Sequence, residues 1–174
     1  MDNQNIKIMQ LNINSIVSLK KRSEFKLFLL EHKPDIVLLN ETRSNSKHKY
    51  FFSNYNIIRN DRQAAAGGGT TIVIKNNIKY HTIPNPKFSS FESIIIKIFL
   101  ENGSSIILAS VYNAPQNKIN NADLNALFNC VHKPNSSFIG GGDFNVIHQL
   151  WNNNKYNKNG EILYNWYNDN FTSP

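Results

Sequence analysis

The chain has 174 residues, 40% of them apolar and 18% charged, enough for one sizeable core and too few for two ordinary domains. No apolar run approaches the ~18–20 residues of a bilayer span, and the opening MDNQNIKIMQLNIN lacks the basic stretch and unbroken apolar core of a signal peptide. A single cysteine, Cys130, excludes an internal disulfide framework and a Cys-rich zinc site, so the expectation is a soluble domain from a reducing compartment.

The net charge of +7 favours phosphate-bearing partners without proving one. The chain holds 29 Asn, 21 Ile and 15 Lys against only 4 Arg, the skew of an AT-rich coding sequence, which discounts part of the lysine excess.

In chain order, Ile6–Ile13 alternates apolar and polar residues and reads as a strand. Lys20–His32 places Phe25, Phe28, Leu29 and His32 at helical spacing and stops before Pro34. Asp35–Asn40 carries a continuous apolar run suited to a strand buried on both faces, which completes a βαβ unit with parallel strands. Five further strands follow at Tyr55–Arg59, Thr70–Lys75, Ile78–Thr82, Ser93–Phe99 and Ser105–Tyr112, separated by Gly, Pro and Asn turns. Asn120–Val131 is a helix with Leu124, Leu127, Phe128 and Val131 on one face. Ser136–Ile139 is a short strand running into a tight GGGDFN turn, Trp151–Gly160 is an Asn/Lys-rich loop, and Glu161–Phe171 closes with a helix.

Four motifs fall at the C-terminal ends of predicted strands, where open α/β sheets place their ligands. They are LNIN (Asn12, Asn14), LLNET (Glu41), SVYNAP (Tyr112) and GGDFN (Asp143, Asn145). Each alone has a bland reading: a turn asparagine, a carboxylate at a helix start, a half-buried tyrosine, a glycine turn. The combination is harder to dismiss.

In this order and spacing the motifs resemble the exonuclease–endonuclease–phosphatase superfamily, and within it the apurinic/apyrimidinic-type endonuclease domain of non-LTR (LINE-type) retrotransposons. KPDIVLLNET is similar to that family's strand leading to a metal-binding glutamate, and GGGTTIVIK to its Gly-rich strand. GGDFNVIHQLW resembles the GDFN-x-x-H-x-x-W run of insect-type members.

The resemblance implies an α/β fold, a four-layer α/β sandwich of two mixed β-sheets flanked by helices, deoxyribonuclease I-like and lacking its C-terminal strands. It implies a Mg²⁺-dependent endonuclease, with Mn²⁺ as a substitute, that nicks double-stranded DNA. The nick leaves a 3′-hydroxyl to prime reverse transcription. A reverse-transcriptase domain would lie in the same longer polypeptide, which acts in the nucleus or cytoplasm, is not secreted and touches no membrane. Glu41 and Asn12 would hold the metal, Asp143 would orient or deprotonate the attacking water, and Tyr112 and Asn145 would donate hydrogen bonds to the phosphate. Gly140, Gly141 and Gly142 would let the backbone turn just before Asp143. Asn14, Lys47, His148 and Trp151 are candidates for DNA contact. His148, which is also a candidate catalytic group, reads more readily as a structural histidine bonded to backbone, and Trp151 as packing beneath the site loop. Lys47, with His48 and Lys49, reads equally as a solvated loop.

The family pattern continues to a closing Asp-His pair. None of Asp2, Asp35, Asp61, Asp123, Asp143 or Asp169 precedes a histidine, so the expectation is a single domain over residues 1–174 that is incomplete at its C-terminus, with half a site, exposed strand edges and poor solubility. Two alternatives follow: an inactive remnant that binds DNA or metal weakly, and a phosphatase of the same superfamily, against which HQLW and the short loops argue.

Overall fold

A computed structural model describes residues 5–62 and 67–171. Within them the chain runs β1 (Ile8–Asn12), α1 (Leu19–His32), β2 (Ile36–Asn40), β3 (Tyr55–Asn60), β4 (Thr70–Lys75), β5 (Tyr80–Ile83), β6 (Glu92–Phe99), β7 (Ser105–Tyr112), α2 (Asn121–Val131), β8 (Ser136–Asp143), a 3-10 turn at Gln149–Trp151 and α3 (Lys158–Phe171). Two four-stranded sheets form, in the orders β1-β2-β4-β3 and β5-β6-β7-β8. Each is mixed: β1 pairs β2 in parallel and β7 pairs β8 in parallel, while the other pairings are antiparallel.

Strand alternation explains the layering. Ile36 and Leu38 of β2, with Ile72 and Ile74 of β4, point inward and meet Ile94, Ile96 and Ile98 of β6 and Leu108 of β7. Their neighbours Val37, Leu39 and Val73 point outward against Phe25 and Leu29 of α1. On the other sheet Ile95, Ile107, Ala109 and Val111 meet Leu124, Leu127 and Val131 of α2, with Ile162, Leu163 and Trp166 of α3 packed alongside. The result is α1, sheet, sheet, then α2 with α3, the expected four-layer sandwich. Strands buried on both faces need apolar residues at every position, which is why β2 reads IVLLN without alternation.

The helices carry their own boundary signals. The Ser18 hydroxyl accepts the Lys21 N–H at 3.2 Å to cap α1, and Lys33 ends it in the left-handed region at φ 45°, just before Pro34. The Asn120 side chain accepts the Asp123 N–H at 2.7 Å to start α2.

Most boundaries fall within two residues of expectation, with β1 running Ile8–Asn12 instead of Ile6–Ile13. β5 begins at Tyr80, not Ile78, and α3 begins at Lys158, three residues before Glu161. The larger correction concerns β8, which runs straight through Gly140, Gly141 and Gly142 to Asp143. These glycines make no turn and none has a positive φ. They allow close approach instead: a Cβ at Gly142 would lie 2.0 Å from the Val111 carbonyl oxygen, and one at Gly141 would lie 2.8 Å from Leu38 Cδ1.

Candidate active site

The parallel pairs bring four strand ends together. In the β1–β2 ladder Asn12 stands opposite Asn40, which immediately precedes Glu41, and in the β7–β8 ladder Tyr112 stands opposite Asp143. The two pairs belong to different sheets, so any group shared between them bridges the sandwich.

Asn12 is that group. Its side-chain amide nitrogen donates to Glu41 Oε1 and to Asp143 Oδ2, each at 3.0 Å. Two carboxylates therefore converge on one amide. The backbone N–H of Asn14 holds the Asn12 side-chain oxygen Oδ1 at 3.1 Å, and the Asn145 N–H holds Asp143 Oδ1 at 3.0 Å. Both aspects of the cluster are thus oriented by backbone two residues downstream.

Glu41 sits in the left-handed region at φ 53°, a conformation that costs a non-glycine residue about 1–3 kcal/mol and persists only where neighbours impose it. Those neighbours are visible. The Ser15 and Ile16 N–H groups donate to the Glu41 and Thr42 carbonyls at 2.7 and 3.0 Å, and the Thr42 and Arg43 N–H groups donate to Gly69 and Gly68 at 3.3 and 2.8 Å. Gly69 must be glycine, because its φ is 89° and a Cβ there would lie 2.6 Å from Thr42 Oγ1.

The electrostatics follow from these contacts. The Asn12 amide holds the Glu41 carboxyl below the usual range; burial opposes this, and Arg43, 3.1 Å from Oε2, and the Tyr112 hydroxyl assist. Burial raises the Tyr112 phenol, and the negative charge of Glu41 raises it further, so the hydroxyl remains a donor.

Among the described residues no three His, Cys, Asp or Glu side chains group as a metal cage. Two carboxylates bring hard oxygens together around the Asn12 amide nitrogen, which suits Mg²⁺ keeping several of its own waters. The residues fit such an ion. Alongside Asn12 and Asp143 opens a cleft of about 650 Å³, lined also by Gln10, Asn145, Ile147 and Asn157.

Not every expected residue joins the cluster. The Asn145 amide donates to the Asn113 backbone carbonyl at 2.8 Å, so one of its hydrogens ties the GDFN loop to the loop after β7. His148 Nδ1 accepts the Leu150 N–H at 3.3 Å as the cap of the 3-10 turn, and its ring stacks on Tyr164 at 4.4 Å. The ring of half-exposed Trp151 lies 5.3 Å from it. Lys47 is exposed in a loop that Arg59 pins through the Asn45 and His48 carbonyls at 2.7 and 2.6 Å.

Sequence reading passed over Asn40. It is fully buried, accepts from Gln10 at 2.8 Å and donates to Ser110 Oγ at 3.2 Å and the Val111 carbonyl at 2.9 Å, which locks the two sheets together beside Glu41. The available signal was a lone amide closing an all-apolar strand, since a buried polar group needs partners.

Comparison with known proteins bears on the family and the fold. The family model described as the Endonuclease/Exonuclease/phosphatase family matches residues 9–174. A curated relative, the RNA-directed DNA polymerase from mobile element jockey of Drosophila funebris, is 27% identical over 144 residues, which is 80% of this chain and 15% of that protein. The chain thus spans about one seventh of that relative. Among solved structures, the endonuclease domain of TRAS1, a telomere-specific non-LTR retrotransposon, superposes with a TM-score of 0.73 at 16% identity, over 95% of this chain and 70% of that one. The AP endonuclease LMAP from Leishmania major follows at 0.65 and 15% identity, over 93% and 66% of the two chains. Danio rerio TDP2 complexed with single strand DNA product gives 0.61 at 16% identity, over 86% and 65%. These likenesses concern the fold.

Proposed function

The chain belongs to the endonuclease/exonuclease/phosphatase family, a family of hydrolases, and from that premise we propose that it is the DNA-nicking domain of a non-LTR retrotransposon. It hydrolyses one strand of duplex DNA and leaves a 3′-hydroxyl from which a reverse transcriptase in the same longer polypeptide primes, on chromosomal DNA in the nucleus. The likeness to the jockey polymerase and to the TRAS1 domain supports the retrotransposon part. The observation that carries the hydrolytic part is the Asn12 amide shared by Glu41 and Asp143 across two sheets.

Glu41 and Asn12 would hold Mg²⁺, which when bound supplies positive charge to the scissile phosphate. The protein's own groups do the rest. Asp143, its Oδ1 fixed by the Asn145 N–H, takes the proton from the attacking water. Tyr112, kept protonated by burial and by Glu41, donates to a phosphoryl oxygen as negative charge builds there. Asn145 holds the loop that carries Asp143. The water oxygen bonds to phosphorus, the bond from phosphorus to O3′ breaks, and the departing O3′ takes up a proton.

The product end tests this reading. Plasmid nicked with Mg²⁺ by the longer polypeptide should be extended by a DNA polymerase without prior phosphatase treatment. Release of inorganic phosphate from phosphate monoesters, with plasmid left intact, would move the protein to the phosphatase branch of the family.

A further inference from the structure

All four arginines lie at the end of the sandwich that carries the cluster, although lysines occur at both ends. Arg22 is engaged by the carbonyls of Ile16, Val17 and Lys49, Arg59 by Asp61 and two carbonyls, and Arg43 by Glu41. Arg62 is different. Its Nε donates to Glu92 in an ion pair, and among the described residues neither Nη has a hydrogen-bond acceptor. Yet its side chain is only 19% exposed.

The surroundings are built to keep it there. Glu92 stands opposite Tyr112 in the β6–β7 ladder, and its second oxygen accepts the Gly69 N–H at 2.6 Å. One carboxylate therefore fixes both Arg62 and the loop that brackets Glu41. Gly68 makes room, because a Cβ there would lie 2.5 Å from Arg62 Cζ. The guanidinium carbon lies 5.8 Å from the centre of the Tyr112 ring.

Among the described residues the Nη donors of this partly desolvated guanidinium have no acceptor, and its planar fork matches the oxygens of a phosphate. We propose that Arg62 is a substrate-binding residue whose Nη groups take a DNA phosphate on the Tyr112 side of the cluster. The assignment rests on the nuclease reading above and adds a contact to it.

Fluorescence anisotropy of an end-labelled duplex, titrated with the full chain without divalent cation over a range of salt, reads the contact directly. R62A should weaken binding about tenfold and reduce the salt slope by about 0.9, the value of one phosphate. R62K keeps the charge but not the fork, so it should retain the slope with a smaller loss of affinity. K79A removes one exposed charge at the opposite end and should leave the slope unchanged. Equal slopes for R62A and the unaltered chain, or no duplex binding at all, would overturn the assignment. Plasmid nicking with Mg²⁺ by the longer polypeptide that carries the closing Asp-His pair, unaltered and R62A, separates the two readings. Arg62-dependent binding without nicking supports the assignment and sinks the nuclease; nicking with an unchanged R62A slope does the reverse.

Discussion

Glu41 and Asp143 are held by hydrogen bonds and contribute almost nothing to the core, so their removal should separate activity from folding. Each lies at a strand end outside the three apolar clusters, and each accepts from Asn12. Tyr112→Phe removes one donor to a developing charge and should slow nicking about 100-fold, or about 2.7 kcal/mol, measured as the rate of supercoil loss. Because burial and Glu41 hold the phenol above its ordinary value, the Tyr112→Phe deficit should persist without shrinking to about pH 10. Asn40→Ala should behave in the opposite way. It removes the buried amide that ties Ser110 and the Val111 carbonyl to β2 and should cost about 2–3 kcal/mol in a denaturant titration. Glu41, Tyr112 and Asp143 were legible only in combination, as an ordered set of strand ends that resembles a known family. Asn40 and Arg62 were not. One is an asparagine among 29, in a composition that made asparagine look like drift, and the other takes its meaning from Glu92, thirty positions away.

At the scale of elements, the βαβ unit and the doubly buried β2 could be read directly, since apolar runs and Pro34 fix their limits. β8 could not. Three glycines before an aspartate look like a turn, and only the partner strands reveal that they permit close packing in an extended strand. Gly142→Ala is therefore a packing substitution, not a turn substitution. A methyl group 2.0 Å from the Val111 oxygen must push β8 from β7, costing about 3 kcal/mol and displacing Asp143, so both melting temperature and nicking should fall. The far ends of the strands have their own clamp. Asp35 accepts the Lys7 N–H at 2.7 Å and the Lys75 ammonium at 2.8 Å, which joins β1, β2 and β4. Burial raises its carboxyl, but Lys75 and Lys7 together outweigh burial and leave it below the ordinary value. A lowered folded value means stabilisation that is complete above the unfolded value and lost as pH falls through the folded one. The melting temperature of Asp35→Asn should therefore trail the unaltered protein at neutral pH, and the gap should close below about pH 4.

The whole molecule is two half-sites joined face to face. One sheet brings Asn12 and Glu41, the other Tyr112 and Asp143, and Asn40 with Ser110 locks them in register. The geometry of the cluster and the packing of the sheets are consequently one property, and solved structures only 15–16% identical to this chain keep the same frame. The central claim is that this inter-sheet cluster hydrolyses DNA with a divalent cation. Conversion of supercoiled plasmid to open circle by the longer polypeptide that carries the closing Asp-His pair, followed with Mg²⁺ and with chelator, tests it most directly. Nicking should require the cation, and Glu41→Ala and Asp143→Ala should each lower its rate by at least about 100-fold while their melting curves match the unaltered protein. Nicking that survives chelator, or that both alanine variants retain at full rate, would contradict the account.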